Sequence, residues 1–376
     1  MSDEKSPFME IPASLVRQLL SDADKIGENL SSTMLDIEEK KHIYRSQLLD
    51  NRFVFDDSEL ACTKLYSTCG IDGACAIERL VGTDLLIAGA VGVEGLTSID
   101  DAKWQSPDHS TYVNAEGHNS ENMNIARALM LEMELNLATV APHDIILMDG
   151  SLTTALIHMY KAIDDFRSGS SNARNKLKED FYEFLISYKK ILALEKSDKI
   201  WIGIPKYTSR NDISANLKWN ITVDDKAILS LVLNAGEFTR PILFTNKDAW
   251  HEKVPNEDRE LKYLVREVIS GIRQLSFIYY KPHEWSPALR IEVPKHTIDD
   301  HDKLAAILVT IKDQCRLPTL IEPYPLYMAD RIVKNIGRAV PSYRQIVTRR
   351  IVEEKKVNAD NAIFMMQSYR TESDKF

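Results

Sequence analysis

The stretch Ile145-Ile146-Leu147-Met148-Asp149-Gly150-Ser151 decides how the chain is read. Four consecutive apolar residues bounded by polar ones mark a short strand buried on both faces, the pattern of a central parallel strand. Asp149 follows them directly, so it lies at the strand's carboxyl end, where open α/β sheets place their sites. Gly150 and Ser151 turn the chain, and a helix is expected from Leu152.

Upstream, residues 123–140 carry Ala126, Leu129, Met130, Met133, Leu137 and Val140 on one helical stripe, with the acids Glu132 and Glu134 among them. Residues 64–95 read as a three-stranded meander. Its first strand ends in Asp72-Gly73, a hairpin-turn signal, a second covers 75–80, and the apolar third follows the turn at Gly82-Thr83-Asp84. Residues 97–120 are polar and read as loop. Residues 11 to about 50 have apolar residues at helical spacing and form an appended helical hairpin or arm.

Downstream, 153–167 and 173–197 read as helices around a loop at 168–171, and 201–204 as a strand leading into Pro205-Lys206. Residues 228–233 fit helix or strand equally. Residues 277–281 and 288–293 form a strand pair, 304–312 and 327–336 are helical, and the tail from Glu372 is expected to fray.

The chain has 376 residues, with 47 Lys+Arg against 56 Asp+Glu, a net charge of −9. That excludes a general basic coat for nucleic acid but allows a local basic groove. Cys62, Cys69, Cys75 and Cys315 form no C-x-x-C pair, the first twelve residues lack an apolar leader core, and no apolar run approaches the ~20 residues of a membrane span. A reducing cytoplasm is expected. There is no Walker A pattern, no G-x-S-x-G elbow and no Cys/His pairing for thiol catalysis.

The acids fall in a suggestive order: Asp72 closes the first strand, Glu132 and Glu134 lie on the first core helix, Asp149 closes the fourth strand, and Asp330 lies on a late helix. A ribonuclease H-like fold, an α/β mixed sheet flanked by helices, places metal-binding carboxylates in this order. Two Mg²⁺ or Mn²⁺ ions about 3.5–4 Å apart would clamp the attacking and leaving oxygens of a phosphodiester displacement, and such hard ions need oxygen ligands. Singly, an Asp-Gly is more often a turn than a ligand. Lys206 and Arg210 are candidates for phosphate contact or for a solvated strand end in equal measure. The same holds for Arg338, Tyr343, Arg344, Arg349 and Arg350 as a groove wall or a solvated helix face. Arg290 and Glu292 read as a salt bridge.

The segments Gly70-Ile71-Asp72-Gly73-Ala74, Gly82-Thr83-Asp84-Leu85-Leu86 and Met148-Asp149-Gly150-Ser151-Leu152 resemble signatures of the NurA nuclease family. Ile204-Pro205-Lys206-Tyr207-Thr208-Ser209-Arg210 is similar to its lysine-serine motif, and Asn234-Ala235-Gly236-Glu237 to its Gly-Glu turn. Arg290-Ile291-Glu292-Val293-Pro294 and Tyr324-Pro325-Leu326-Tyr327-Met328-Ala329-Asp330 resemble late family blocks. The resemblance runs from about residue 60 to 340. It implies a Mn²⁺-dependent DNA nuclease, a homodimer that docks on a HerA-type hexameric translocase and resects DNA ends in double-strand break repair.

Carried over, Asp72 and Asp149 are ligands, Glu134 is favoured over Glu132, Asp330 stands where many members have histidine, and Tyr324 serves the family tyrosine. The implied organisation is an arm at 1–58, a nuclease domain at 59–345 with a helical insertion at about 153–197, and a C-terminal segment at 346–376. A non-catalytic ribonuclease H-like module that binds DNA or regulates a translocase is the alternative.

Overall fold

The computed structural model describes residues 11–60, 62, 64–164, 171–192, 197–208, 210–219, 223–244, 258–355 and 357–373. Most of the N-terminal stretch read for a leader, most of the loop at 168–171, and Ser209 of the lysine-serine motif lie outside the described residues.

Helix α1 (Ala13–Asp50) is one helix of 38 residues rather than a hairpin, about 57 Å long at 1.5 Å per residue. Only Ile37, Tyr44 and Leu48 are buried. Tyr44 packs on Trp219 with ring centroids 4.7 Å apart, and the Arg45 guanidinium forks onto the Glu237 carboxylate, so the C-terminal part of the helix is fastened to the body.

After β1 (Val54–Asp56), residues 64–95 form two strands, not three: β2 (Thr68–Leu80) and β3 (Asp84–Glu94), paired without a break from Cys69↔Glu94 to Arg79↔Asp84. The expected turn at Asp72-Gly73 is a correction, because the chain runs straight through it. Gly73 is there for close approach rather than for a turn, since a Cβ would meet Glu134 Oε1 at 2.4 Å and Met130 Cγ at 2.6 Å. The true turn spans 81–83. The third meander strand is β4 (Asp108–Glu116), inside the stretch read as loop. β4 pairs on the sheet path only with β3 and exposes alternate residues, so its composition reads as polar although Thr111, Tyr112 and Val113 are good strand formers.

Helix α2 (Asn122–Val140) and β5 (Ile145–Asp149) follow as expected. Next come α3 (Thr154–Asp164), α4 (Asn172–Glu179) and α5 (Phe181–Ile191), with a break at Asp180 where one helix over 173–197 was expected. Strand β6 (Ile200–Ile204) precedes α6 (Asp212–Asn216) and α7 (Asp225–Val232). The Asp224 carboxylate caps α7 by accepting from the Ala227 N–H, which decides 228–233 as mostly helix. Strands β7 (Glu237–Thr239) and β8 (Ile242–Leu243), helix α8 (Arg259–Ile272) and the expected pair β9 (Leu275–Tyr280) and β10 (Leu289–Pro294) come next. Helices α9 (Lys295–Ile298), α10 (His301–Gln314), α11 (Tyr324–Val333), α12 (Asn335–Lys355) and α13 (Ala359–Met365) lead to β11 (Ser368–Ser373). The tail is therefore not frayed at Glu372, which pairs with Ile77. α12 runs through residue 345, across the expected domain end.

Among the described residues, eleven strands make one mixed sheet in the order β1-β7-β9-β10-β6-β5-β2-β3-β4, with β8 beside β9 and β11 beside β2. Its half β6-β5-β2-β3-β4, an antiparallel meander followed by two parallel strands, is the ribonuclease H-like arrangement. β5 is buried on both sides: Ile146 and Met148 join the core under α2, Ile145 and Leu147 the core under α10. β2 is longer than its neighbour on that side. β5 covers its residues 68–71 and β11 its residues 76–80. Residues 72–75 therefore face a gap in the sheet, and α11 crosses β2 beside it. Gly70 allows the crossing, because a Cβ there would lie 2.5 Å from the Pro325 carbonyl carbon and 2.6 Å from the Leu326 nitrogen.

Backbone cannot yield as a flexible side chain does, so Gly70→Ala is expected to lift α11 off β2 at a cost of about 1–3 kcal/mol, the usual penalty of overpacking. Urea unfolding of the purified variant measures this, and an unchanged midpoint contradicts the packing role.

Candidate metal centre

Strand register brings the first two acids together. Ile71 pairs with Met148 in the parallel β2–β5 ladder, so Asp72 and Asp149 are the next residues of adjacent strands. Asp330, on α11, descends onto the same spot. One oxygen from each of the three carboxylates lies within 4.8 Å of the others. Glu134 reaches in from α2 beside Gly73.

The cations are placed just as locally. Asp149 pairs with Ile204 in the β5–β6 ladder, and Lys206 is two residues beyond. Its ammonium lies 2.9 Å from Asp149, 3.1 Å from Asp330 and 3.2 Å from Glu322. Lys334, one turn along from Asp330, holds that carboxylate from the other side at 2.7 Å.

Burial and mutual repulsion dominate the electrostatics. Burial, then the Asp149 charge, push the Asp72 carboxyl well above its usual range, against the pull of Lys206. Burial followed by the Asp72 and Asp149 charges does the same to Glu134. Burial pushes Glu322 up against the pull of Lys206. At Asp330 burial also opposes ionisation, but Lys334 and Lys206 outweigh it and hold the carboxyl below its usual range. Burial alone would pull Lys206 down; Asp149 and Glu322 prevail and keep it charged. A cluster of oxygens this short of positive charge, with no soft donor among the three aspartates, suits a hard divalent cation.

Asp72, Glu134, Asp149, Lys206, Asp330 and Lys334 line a cavity of about 300 Å³. Its floor is Asp72, Asp149 and Asp330. Arg127, Met130, Leu131 and Glu134 line it from α2, as do Lys206, the 85% exposed Tyr207 and Lys334 from elsewhere in the chain. Glu132 is buried on another side of α2, where burial and the Asp180 charge push it up to about 7. Arg210 is engaged by the Asp212 carboxylate through two hydrogen bonds of 2.7 and 3.1 Å. Arg344 pairs with buried Glu78 at 3.0 Å, and Arg349 with Glu353 at 2.7 Å. Arg344 and Arg349 border a different, open cavity of about 670 Å³ formed with α13. Arg350 is exposed on α12, Arg338 donates to Asn335, and half-buried Tyr324 opens α11 six residues before Asp330.

Sequence reasoning missed Glu322, Arg127 and Lys334. Glu322 gives no local signal, being an isolated acid in a turn. Arg127 was legible, because 127, 131 and 134 share one face of a helix.

The family model of the NurA domain matches residues 66–334. No curated protein matches the chain. Among solved structures, the NurA nuclease from Sulfolobus solfataricus is similar over 93% of this chain and 99% of its own, at 15% identity and a TM-score of 0.59. A NurA bound to dAMP and manganese is similar over 89% and 98%, at 15% identity and a TM-score of 0.55. A NurA with manganese covers 90% and 99%, at 15% identity and a TM-score of 0.53.

Neutralising one acid of the cluster relieves repulsion that nothing in the protein fully offsets. In EDTA, Asp72→Asn is expected to raise the melting temperature, by on the order of 2 °C or more. Differential scanning calorimetry decides, and a lowered melting temperature would mean that the carboxylate stabilises the fold.

Proposed function

The chain belongs to the NurA family, and from that premise we propose that it is a metal-dependent deoxyribonuclease. The observation that carries the reading is the meeting of Asp72, Asp149 and Asp330 oxygens within 4.8 Å at a cavity lined by cations. The structures of a NurA with manganese and of one with dAMP and manganese support it. Asp72, Asp149 and Asp330 would hold Mn²⁺ or Mg²⁺, with Glu134 completing the set, and two ions are proposed. A bound divalent ion supplies Lewis acidity toward a phosphoryl oxygen and lowers the pKa of a water nucleophile. Lys206 keeps Asp149 and Asp330 oriented, and with Lys334 and Arg127 offers positive charge to the phosphate. Tyr324 and the exposed Arg350 remain candidates for DNA contact.

The proposed assembly is a homodimer through α1, acting with a HerA-type hexameric translocase in DNA end resection and repair in the cytoplasm. Leu19, Ile26, Leu30 and Met34 support the dimer, being large apolar side chains exposed along one stripe of α1. No helix among the described residues is long and apolar enough to cross a membrane.

Purified protein with end-labelled linear DNA should release nucleotides in Mn²⁺ and not in EDTA, and act on DNA in preference to an RNA strand of the same sequence. Asp149→Asn and Glu134→Gln should each reduce cleavage on the order of 100-fold, while Glu132→Gln stays within about threefold. Near wild-type cleavage by Asp149→Asn would remove that residue from the ligand set. Absence of Mn²⁺-dependent cleavage by the wild type would favour the non-catalytic module. Light scattering should give a dimer that Leu19→Asp/Leu30→Asp converts to monomer; a monomeric wild type at micromolar concentration refutes the interface.

A further inference from the structure

The turn after Asp149 rests on a buried polar device that the proposed chemistry does not use. Glu292, on β10, is 1% exposed, as is its neighbour Arg290. One Glu292 oxygen accepts from the Arg290 Nε at 2.8 Å. The other accepts from the Ser151 hydroxyl at 2.7 Å and from the Leu152 N–H at 3.1 Å. Both acceptor contacts fall on the two residues that follow Asp149-Gly150.

The strands explain how a side chain from β10 reaches this turn. Glu292 pairs with Gly203 of β6, and Gly203 has no side chain to stand between them. A Cβ at Gly203 would lie 2.8 Å from Leu152 Cγ and 3.0 Å from the Gly150 carbonyl oxygen. The turn thus lies directly over β6, with Gly150 in the left-handed region at φ +97° and the buried Tyr188 hydroxyl donating to the Leu152 carbonyl. Arg290 is held in turn: its guanidinium stacks 3.6 Å from the Phe277 ring centroid.

A buried ion pair is a poor source of stability, since apolar residues of similar volume serve the fold as well or better. Its use here has to be sought in what it fixes. We propose that Glu292 is a positioning residue for the metal centre: it pins the Ser151-Leu152 backbone and so fixes where the Asp149 carboxylate points. Arg290 holds Glu292 in its aim through the hydrogen bond from its Nε. The proposal rests on the reading of Asp149 as a ligand. Groups that hold a ligand in place are typically worth 10–100-fold in metal affinity.

Two double variants separate positioning from folding. Arg290→Met/Glu292→Met removes both buried charges and the acceptor. Arg290→Met/Glu292→Gln removes the same charges but keeps an amide oxygen able to accept from Ser151 and Leu152. Mn²⁺ affinity is read by electron paramagnetic resonance of the free ion, alongside thermal melts in EDTA. The first variant should bind Mn²⁺ at least tenfold more weakly than wild type and the second within about threefold, with similar melts. Equal affinities for the two would overturn the proposal. If the first does not fold, Ser151→Ala, which deletes one donor, should still weaken Mn²⁺ binding threefold or more, and wild-type affinity there overturns it as well. A wild type that binds no Mn²⁺ refutes the metal-centre reading itself, a result distinct from either.

Discussion

Everything in this fold serves one unfavourable contact: three aspartate carboxylates brought within 4.8 Å of one another in a half-buried cleft. Two like charges at such separations repel by about 4 kcal/mol when the effective dielectric constant is near 20. The fold meets this with rigidity and with cations. Two acids stand on neighbouring hydrogen-bonded strands, whose register cannot slip by one residue without exchanging the β5 side chains between the two cores they pack into. The third comes from a helix pressed on Gly70 so closely that a methyl group would collide with its backbone. Lys206 and Lys334 then neutralise part of the charge without filling the cleft.

The gap in the sheet is the second half of the same solution. A central strand normally has partners along its whole length. β2 is covered by β5 and then by β11, with residues 72–75 between them open on that side. Asp72 stands at the start of this unpaired stretch. The C-terminal strand is therefore part of the site's frame: it restores pairing to β2 immediately beyond the opening.

How legible this was follows from how local each signal is. Asp149 and Lys206 were readable because a run of buried apolar residues fixes a strand end, and both stand at such ends. Asp72 was found for a reason that did not hold. Its Asp-Gly sequence mimics a hairpin turn, whereas the glycine is there to let Glu134 approach. Chain-local rules cannot distinguish a glycine needed for conformation from one needed for proximity. β4 was missed because an edge strand exposed on alternate residues has the composition of a loop. Glu322 enters the site only through tertiary placement, and no spacing announces it. The choice between Glu132 and Glu134 was limited by the helix itself: two residues turn a side chain by about 200°, so only one can face the acids. Periodicity says that they differ but not which one faces the sheet.

The charge balance constrains how such a protein holds a polyanion. With a net charge of −9, the chain repels DNA at long range. The basic residues that the sequence offered as a groove are largely committed: Arg210 to Asp212, Arg344 to Glu78, Arg349 to Glu353. The remaining attraction lies at the cavity, where Arg127, Lys206 and Lys334 stand beside the acids, and in whatever divalent charge those acids bind. Affinity for substrate and occupancy of the metal centre become linked, because each neutralises what the other must approach. If the proposed substrate is DNA, a site of this kind is expected to bind an extended duplex weakly and a strand delivered into it well. That is the physical ground on which the proposed pairing with a DNA-threading ring rests: confinement would raise the local concentration of the strand end, supplying through geometry the encounter that the protein's own field opposes.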